Sequence, residues 1–104
     1  MTTNWIDAVA KADVPQDDVV GLEVAGRDIA LYGVDGKVFA TDNICTHGNA
    51  RLCDGFLDGF EIECPLHQGK FDIRSGQPTC VPVTEALRSY PVKIEGGRVW
   101  LAID

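Results

Sequence analysis

Two short segments carry the residues able to bind a metal. One is Cys45-Thr46-His47 and the other is Cys64-Pro65-Leu66-His67. As a pattern this is C-x-H, sixteen residues, then C-x-x-H, and the two histidines are the only ones in the chain. Each arm offers one thiolate and one imidazole. A clamp of two such arms can hold one tetrahedral metal or a two-iron cluster. Zinc sites usually pair Cys with Cys on one arm and His with His on the other, whereas both arms here are mixed. A [2Fe–2S] cluster with two Cys on one iron and two His on the other suits mixed arms, because each arm then touches both irons. Structural zinc also typically supports folds too small to hold themselves. A chain of 104 residues with 45% apolar content is able to bury a core of its own.

The remaining cysteines, Cys53 and Cys80, read as plain thiols. A disulfide between them would need an oxidising compartment. The first residues, MTTNWIDAVAKADV, lack the basic-then-apolar layout of an export signal. No apolar run approaches the roughly 20 residues needed to cross a bilayer. These features predict a soluble, cytoplasmic protein without membrane contact. Nine basic residues against sixteen acidic ones give a net charge of −7, which opposes binding to nucleic acid. Residues 1–44 hold 8 acids and 3 bases, residues 45–80 hold 5 and 3, and residues 81–104 balance at 3 and 3.

The elements that must position the two arms read as short strands. Helical periodicity is poor throughout. Residues 19–24, 28–32, 37–41, 60–63, 70–73, 90–94 and 98–103 have β character, and residues 5–8 are a candidate first strand. Asp35-Gly36 and Glu95-Gly96-Gly97 mark hairpin turns. The pattern predicts a single all-β domain over 1–104, a small antiparallel sandwich or barrel. Residues 42–58 and 64–69 read as loops, and they hold the metal-binding chemistry. Trp5 and Trp100 read as packing residues, Arg51 and Lys70 as solvated cations flanking the loops. Gly48, Gly55 and Gly69 read as backbone-geometry positions.

At the residue level the chain resembles the Rieske proteins, and more closely the ferredoxin components of bacterial aromatic-ring-hydroxylating dioxygenases of the naphthalene-dioxygenase type. The resemblance rests on Ala40-Thr41-Asp42-Asn43-Ile44-Cys45-Thr46-His47-Gly48 and on Glu63-Cys64-Pro65-Leu66-His67-Gln68-Gly69-Lys70-Phe71-Asp72. Pro82 and Tyr90-Pro91-Val92-Lys93 add to it, and it covers essentially the whole chain. It implies a β-sandwich base carrying a cluster-binding subdomain of two loops, here about residues 42–82. It implies one Rieske-type [2Fe–2S] cluster, with Cys45 and Cys64 on the inner iron and His47 and His67 on the outer. The segment around Pro82 resembles the loop that covers the cluster from one side. High-potential relatives place hydroxyls at the positions of Gly69 and Phe71, which implies a low potential here.

Such a cluster moves one electron and has no open coordination site. Oxygen activation would need a second iron, for example on a 2-His-1-carboxylate site, and the cluster consumes both histidines. The chain also lacks a Gly-rich dinucleotide fingerprint. It is therefore expected to be a carrier and not an enzyme. The resemblance implies that electrons arrive from a flavoprotein reductase and leave for a terminal oxygenase that dihydroxylates an aromatic ring. An electron-transfer subunit of another reductase or hydroxylase system is the alternative. A respiratory-type subunit would carry an extra cysteine in each loop, where Ala50 and Leu66 stand.

Overall fold

The computed structural model describes residues 4–46, 48–66 and 68–103. Among these, the chain forms β1 (Trp5–Ala10), β2 (Asp18–Val24), β3 (Arg27–Val34), β4 (Lys37–Asp42), β5 (Phe56–Asp58), β6 (Glu61–Glu63), β7 (Lys70–Asp72), β8 (Pro78–Cys80), β9 (Ser89–Tyr90), β10 (Val92–Glu95) and β11 (Arg98–Ala102). They build three antiparallel sheets with strand orders β1-β11-β10, β2-β3-β4-β9 and β5-β6-β7-β8. The all-β class is as expected.

Strand β3 explains how the sheets stack. Successive side chains of a strand point to opposite faces. Ile29 and Leu31 pack on one side with Val24, Val38, Tyr90, Val99 and Leu101. Ala30, Tyr32 and Val34 pack on the other with Cys45, Leu52, Ile62, Cys64 and Phe71. The middle sheet therefore has a core on each face. One core joins it to the sheet of the chain termini, and the other to the sheet beneath the two candidate loops. This double burial is why residues 29–32 read as a continuous apolar run and not as an alternating one.

The expected hairpins form with left-handed turn residues. Asp35 and Gly36 have φ of 54° and 74°, and Gly96 and Gly97 have 61° and 71°. Paired positive φ values match the right-handed twist of the flanking strands. A third such turn, at Ala25 and Gly26, joins β2 to β3.

Three expectations need correction, the first being that residues 90–94 form one strand: Tyr90 ends β9, which pairs with β4, and Val92 begins β10, which pairs with β11. Residues 42–58 are not all loop, because Leu52–Asp54 make a 3₁₀ turn and Phe56–Asp58 are β5. In β5 only Leu57 faces the core while Phe56 lies 70% exposed. Three residues with an outward-facing aromatic carry no readable period-2 signal. Strand β8 likewise forms outside the segments of β character, being three residues that begin with Pro78.

Candidate metal centre

The first candidate arm sits on a hairpin-like loop clamped at its base. Asn43 N–H donates to the Asp28 carbonyl (3.0 Å), and the Asn43 carbonyl accepts from Leu52 N–H (2.7 Å). One step further in, Ile44 bridges Arg51, and Cys45 N–H donates to the Ala50 carbonyl (2.9 Å). The Asn43 side chain locks this base. Its Nδ2 donates to Asp28 Oδ1 (2.9 Å) and to Cys53 Sγ (3.2 Å), and its Oδ1 accepts from Cys53 N–H (2.9 Å). Asn43 is fully buried, so these bonds satisfy a polar group that would otherwise be costly to bury. The clamp needs room in β2. A Cβ on Gly21 would stand 2.7 Å from Cys53 Sγ and 2.9 Å from Asn43 Nδ2. A glycine inside a strand signals such a close approach, but the sequence alone did not pair it with Asn43.

The second arm is the loop between β6 and β7. Cys64 N–H donates to the Gly69 carbonyl (2.7 Å), and Gln68 takes φ of 61° to close the turn. A third segment touches both arms. Val83 packs on Gly69, where an added Cβ would lie 2.6 Å from Val83 Cγ1. Thr46 Oγ1 donates to the Glu85 carbonyl (2.8 Å). The backbone-geometry reading of Gly69 thus has a cause in packing.

Cys45 and Cys64 arrive from different loops and are both buried in one core. Neither is in a disulfide. Burial and the neighbouring Cys45 push the Cys64 thiol up to about 11, while the Leu66 N–H bonded to its sulfur acts in the opposite direction. Burial alone favours the neutral thiol, and two unbridged cysteines brought into one core from two loops could become thiolate ligands only with a cationic centre between them. Leu66 and Gln68 are exposed and Gly48 is half-buried, so the chain around each sulfur rises towards solvent. His47 and His67 lie outside the described residues. Cys53 and Cys80 are free thiols, half-buried and exposed. Arg51 is exposed, as expected of a solvated cation, and its Nε lies 3.4 Å from Asp28 Oδ2 beside the Asn43 clamp. Trp5 and Trp100 are half-buried on the sheet of the termini and belong to neither core, and the Lys93 ammonium lies over both rings.

Comparison with known proteins identifies the family of the chain. Residues 4–91 match the Rieske [2Fe-2S] domain family. The chain is 58% identical, over 100% of both chains, to the ferredoxin component of the naphthalene 1,2-dioxygenase/salicylate 5-hydroxylase systems of Ralstonia sp. Its fold matches the ferredoxin of carbazole 1,9a-dioxygenase from Nocardioides aromaticivorans IC177 with a TM-score of 0.93 at 29% identity, covering 98% of this chain and 100% of that one. A chain from the complex of reduced oxygenase and oxidised ferredoxin in carbazole 1,9a-dioxygenase matches with a TM-score of 0.88 at 34% identity, over 97% and 94% of the two chains. The chain belongs to the Rieske [2Fe–2S] proteins, as a ferredoxin component of aromatic-ring dioxygenase systems that carries one Rieske-type cluster and transfers electrons without a catalytic site of its own.

Proposed function

We propose that Cys45, His47, Cys64 and His67 hold the cluster, the thiolates on the inner iron and the imidazoles on the outer one. The observation that carries this is the pair of buried, unbridged cysteines meeting from two loops whose outer residues are exposed. When bound, the cluster supplies reversible storage of one electron. The protein's part is positional. Asn43 and Gly69 fix the two loops, and buried Val83 closes one side against water. We place the whole chain, as one domain with its cluster region over about 42–82, in the cytoplasm. There a flavoprotein reductase delivers the electron and a terminal oxygenase accepts it. Fast transfer requires the outer iron close to the partner, so the contact centres on the tip, with Gly48, Leu66, Gln68 and Pro82 around the two histidines. Among the described residues, no helix is long and apolar enough to cross a membrane.

Purified protein should contain about two irons and two acid-labile sulfides per chain, with an EPR signal only on reduction. Replacing any one of the four ligands by Ala should abolish that signal. Colourless protein with one zinc would refute the assignment. For docking, Leu66→Ala or Gln68→Ala should slow reduction of the oxygenase while leaving the cluster spectrum intact.

A further inference from the structure

The outer face of the β5-β6-β7-β8 sheet carries a group of side chains that the cluster does not use. The register places Phe56 opposite Glu63, Asp58 opposite Glu61, Glu61 opposite Asp72, Glu63 opposite Lys70 and Lys70 opposite Cys80. The alternate positions, Ile62 and Phe71, are fully buried. Phe56, Asp58, Glu61, Glu63, Lys70 and Asp72 therefore share one outward face. Asp72 is held by Arg74 at 2.9 Å, but among the described residues no cation forms a salt bridge with Asp58, Glu61 or Glu63. Like charges directly opposite each other, as Asp58 and Glu61 are, work against sheet pairing. Edge charges alone would fit protection against strand addition. A phenylalanine 70% exposed among them does not, because it offers the sticky surface that such protection removes. The row also adjoins the metal-binding loops, since Glu63 precedes Cys64 and Lys70 follows Gly69.

We propose that this face is a second docking surface beside the tip, and that it binds a cationic rim around an apolar socket on the terminal oxygenase. Phe56 is the anchor, and Asp58, Glu61 and Glu63 supply the complementary charge. The oxygenase is favoured over the electron donor because a ferredoxin of this fold is seen in complex with an oxygenase. The proposal rests on the reading of the chain as an oxygenase reductant, and assigns affinity to the flank and electron exit to the tip.

The test uses the holoprotein, reduced with dithionite and mixed in stopped flow with the oxidised oxygenase of a naphthalene 1,2-dioxygenase system. Phe56→Ala should raise the concentration needed for half-maximal rate about ten-fold, as expected for an aromatic anchor. Asp58→Asn/Glu61→Gln should raise it several-fold at low ionic strength and flatten its salt dependence. Both variants should keep the wild-type maximal rate, reduction potential and EPR spectrum, and should accept electrons from the reductase as the wild type does. Leu66→Ala should instead lower the maximal rate. Half-saturation within about two-fold of wild type for both flank variants overturns the proposal and leaves the carrier reading standing, as does a loss confined to the reductase step. Failure of the wild type to reduce the oxygenase overturns both.

Discussion

At the scale of single residues, the resemblance to Rieske proteins implies that Phe71 and Gly69 stand where high-potential members carry hydroxyls. A hydroxyl donating to a cluster sulfur stabilises the more negative reduced state and raises the potential. This protein should therefore sit in the lower part of the roughly −150 to +300 mV span of Rieske centres. Phe71 is fully buried in the same core as Cys45 and Cys64, so Phe71→Tyr should raise the potential, as read by protein-film voltammetry. Gly69→Ser is not an equivalent test. Its Cβ would press on Val83 at 2.6 Å, and the expected outcome is a loosened loop and partial cluster loss. Tyr32 gives a pH prediction. Its hydroxyl bonds Thr41 Oγ1 at 2.9 Å in the core, and burial raises its pKa well above that of an exposed tyrosine. An unfolded tyrosine ionises near about pH 10. Above that pH the unfolded chain has lost a proton that the folded chain retains, so stability is intact below about pH 10 and falls as pH rises. Tyr90, raised chiefly by burial and then by its bond to Asp42, acts in the same direction. Urea melts at increasing alkaline pH should show this decline, and Tyr32→Phe should make it shallower.

At the scale of elements, the first loop depends on its clamp. Asn43→Ala removes three side-chain hydrogen bonds at a fully buried position and orphans the Cys53 N–H. The expected cost is about 2–4 kcal/mol, measured by denaturant unfolding of the holoprotein. Asn43→Asp keeps the acceptor for Cys53 N–H but sets a carboxylate against Asp28, so it should rescue little. The sequence marked this loop as chemical from Cys45-Thr46-His47, because ligand types at fixed spacing are visible without a fold. It did not mark Asn43, Gly21 or Val83 as supports. Gly21 is 22 residues from Asn43, and only the pairing of β2 with β3 brings strand and loop together. The same limit hid β5, whose function as one wall of the cluster sheet comes from its pairing with β6 and not from its own three residues.

At the scale of the molecule, charge is distributed in a way that residue counts understate. Residues 1–44 carry 8 acids against 3 bases, and much of that excess lies away from the loops, as with exposed Asp17 and Asp18 at the start of β2. Asp17→Asn/Asp18→Asn should change oxygenase turnover little at physiological salt, where exposed charges are screened beyond about 8 Å. Asn suits both positions, since Asp17 has φ of 56° and the Asp18 side chain caps Val19 N–H at 2.8 Å. A loss of turnover as large as that of the tip or flank variants would show that docking runs through the base.

The sequence by itself determined the cofactor type, the carrier role and the all-β class. Ligand chemistry depends on residue type and short spacing, two histidines cannot serve two metal sites, and turn residues fix hairpins locally. Only the tertiary structure decided which residues brace the two candidate loops and where the acids collect. Residues 45–80 count to a net of −2, yet Asp58, Glu61, Glu63 and Asp72 all emerge on one face. Side-chain direction in a sheet is fixed by strand register, and register is set by which neighbours bury Ile62 and Phe71.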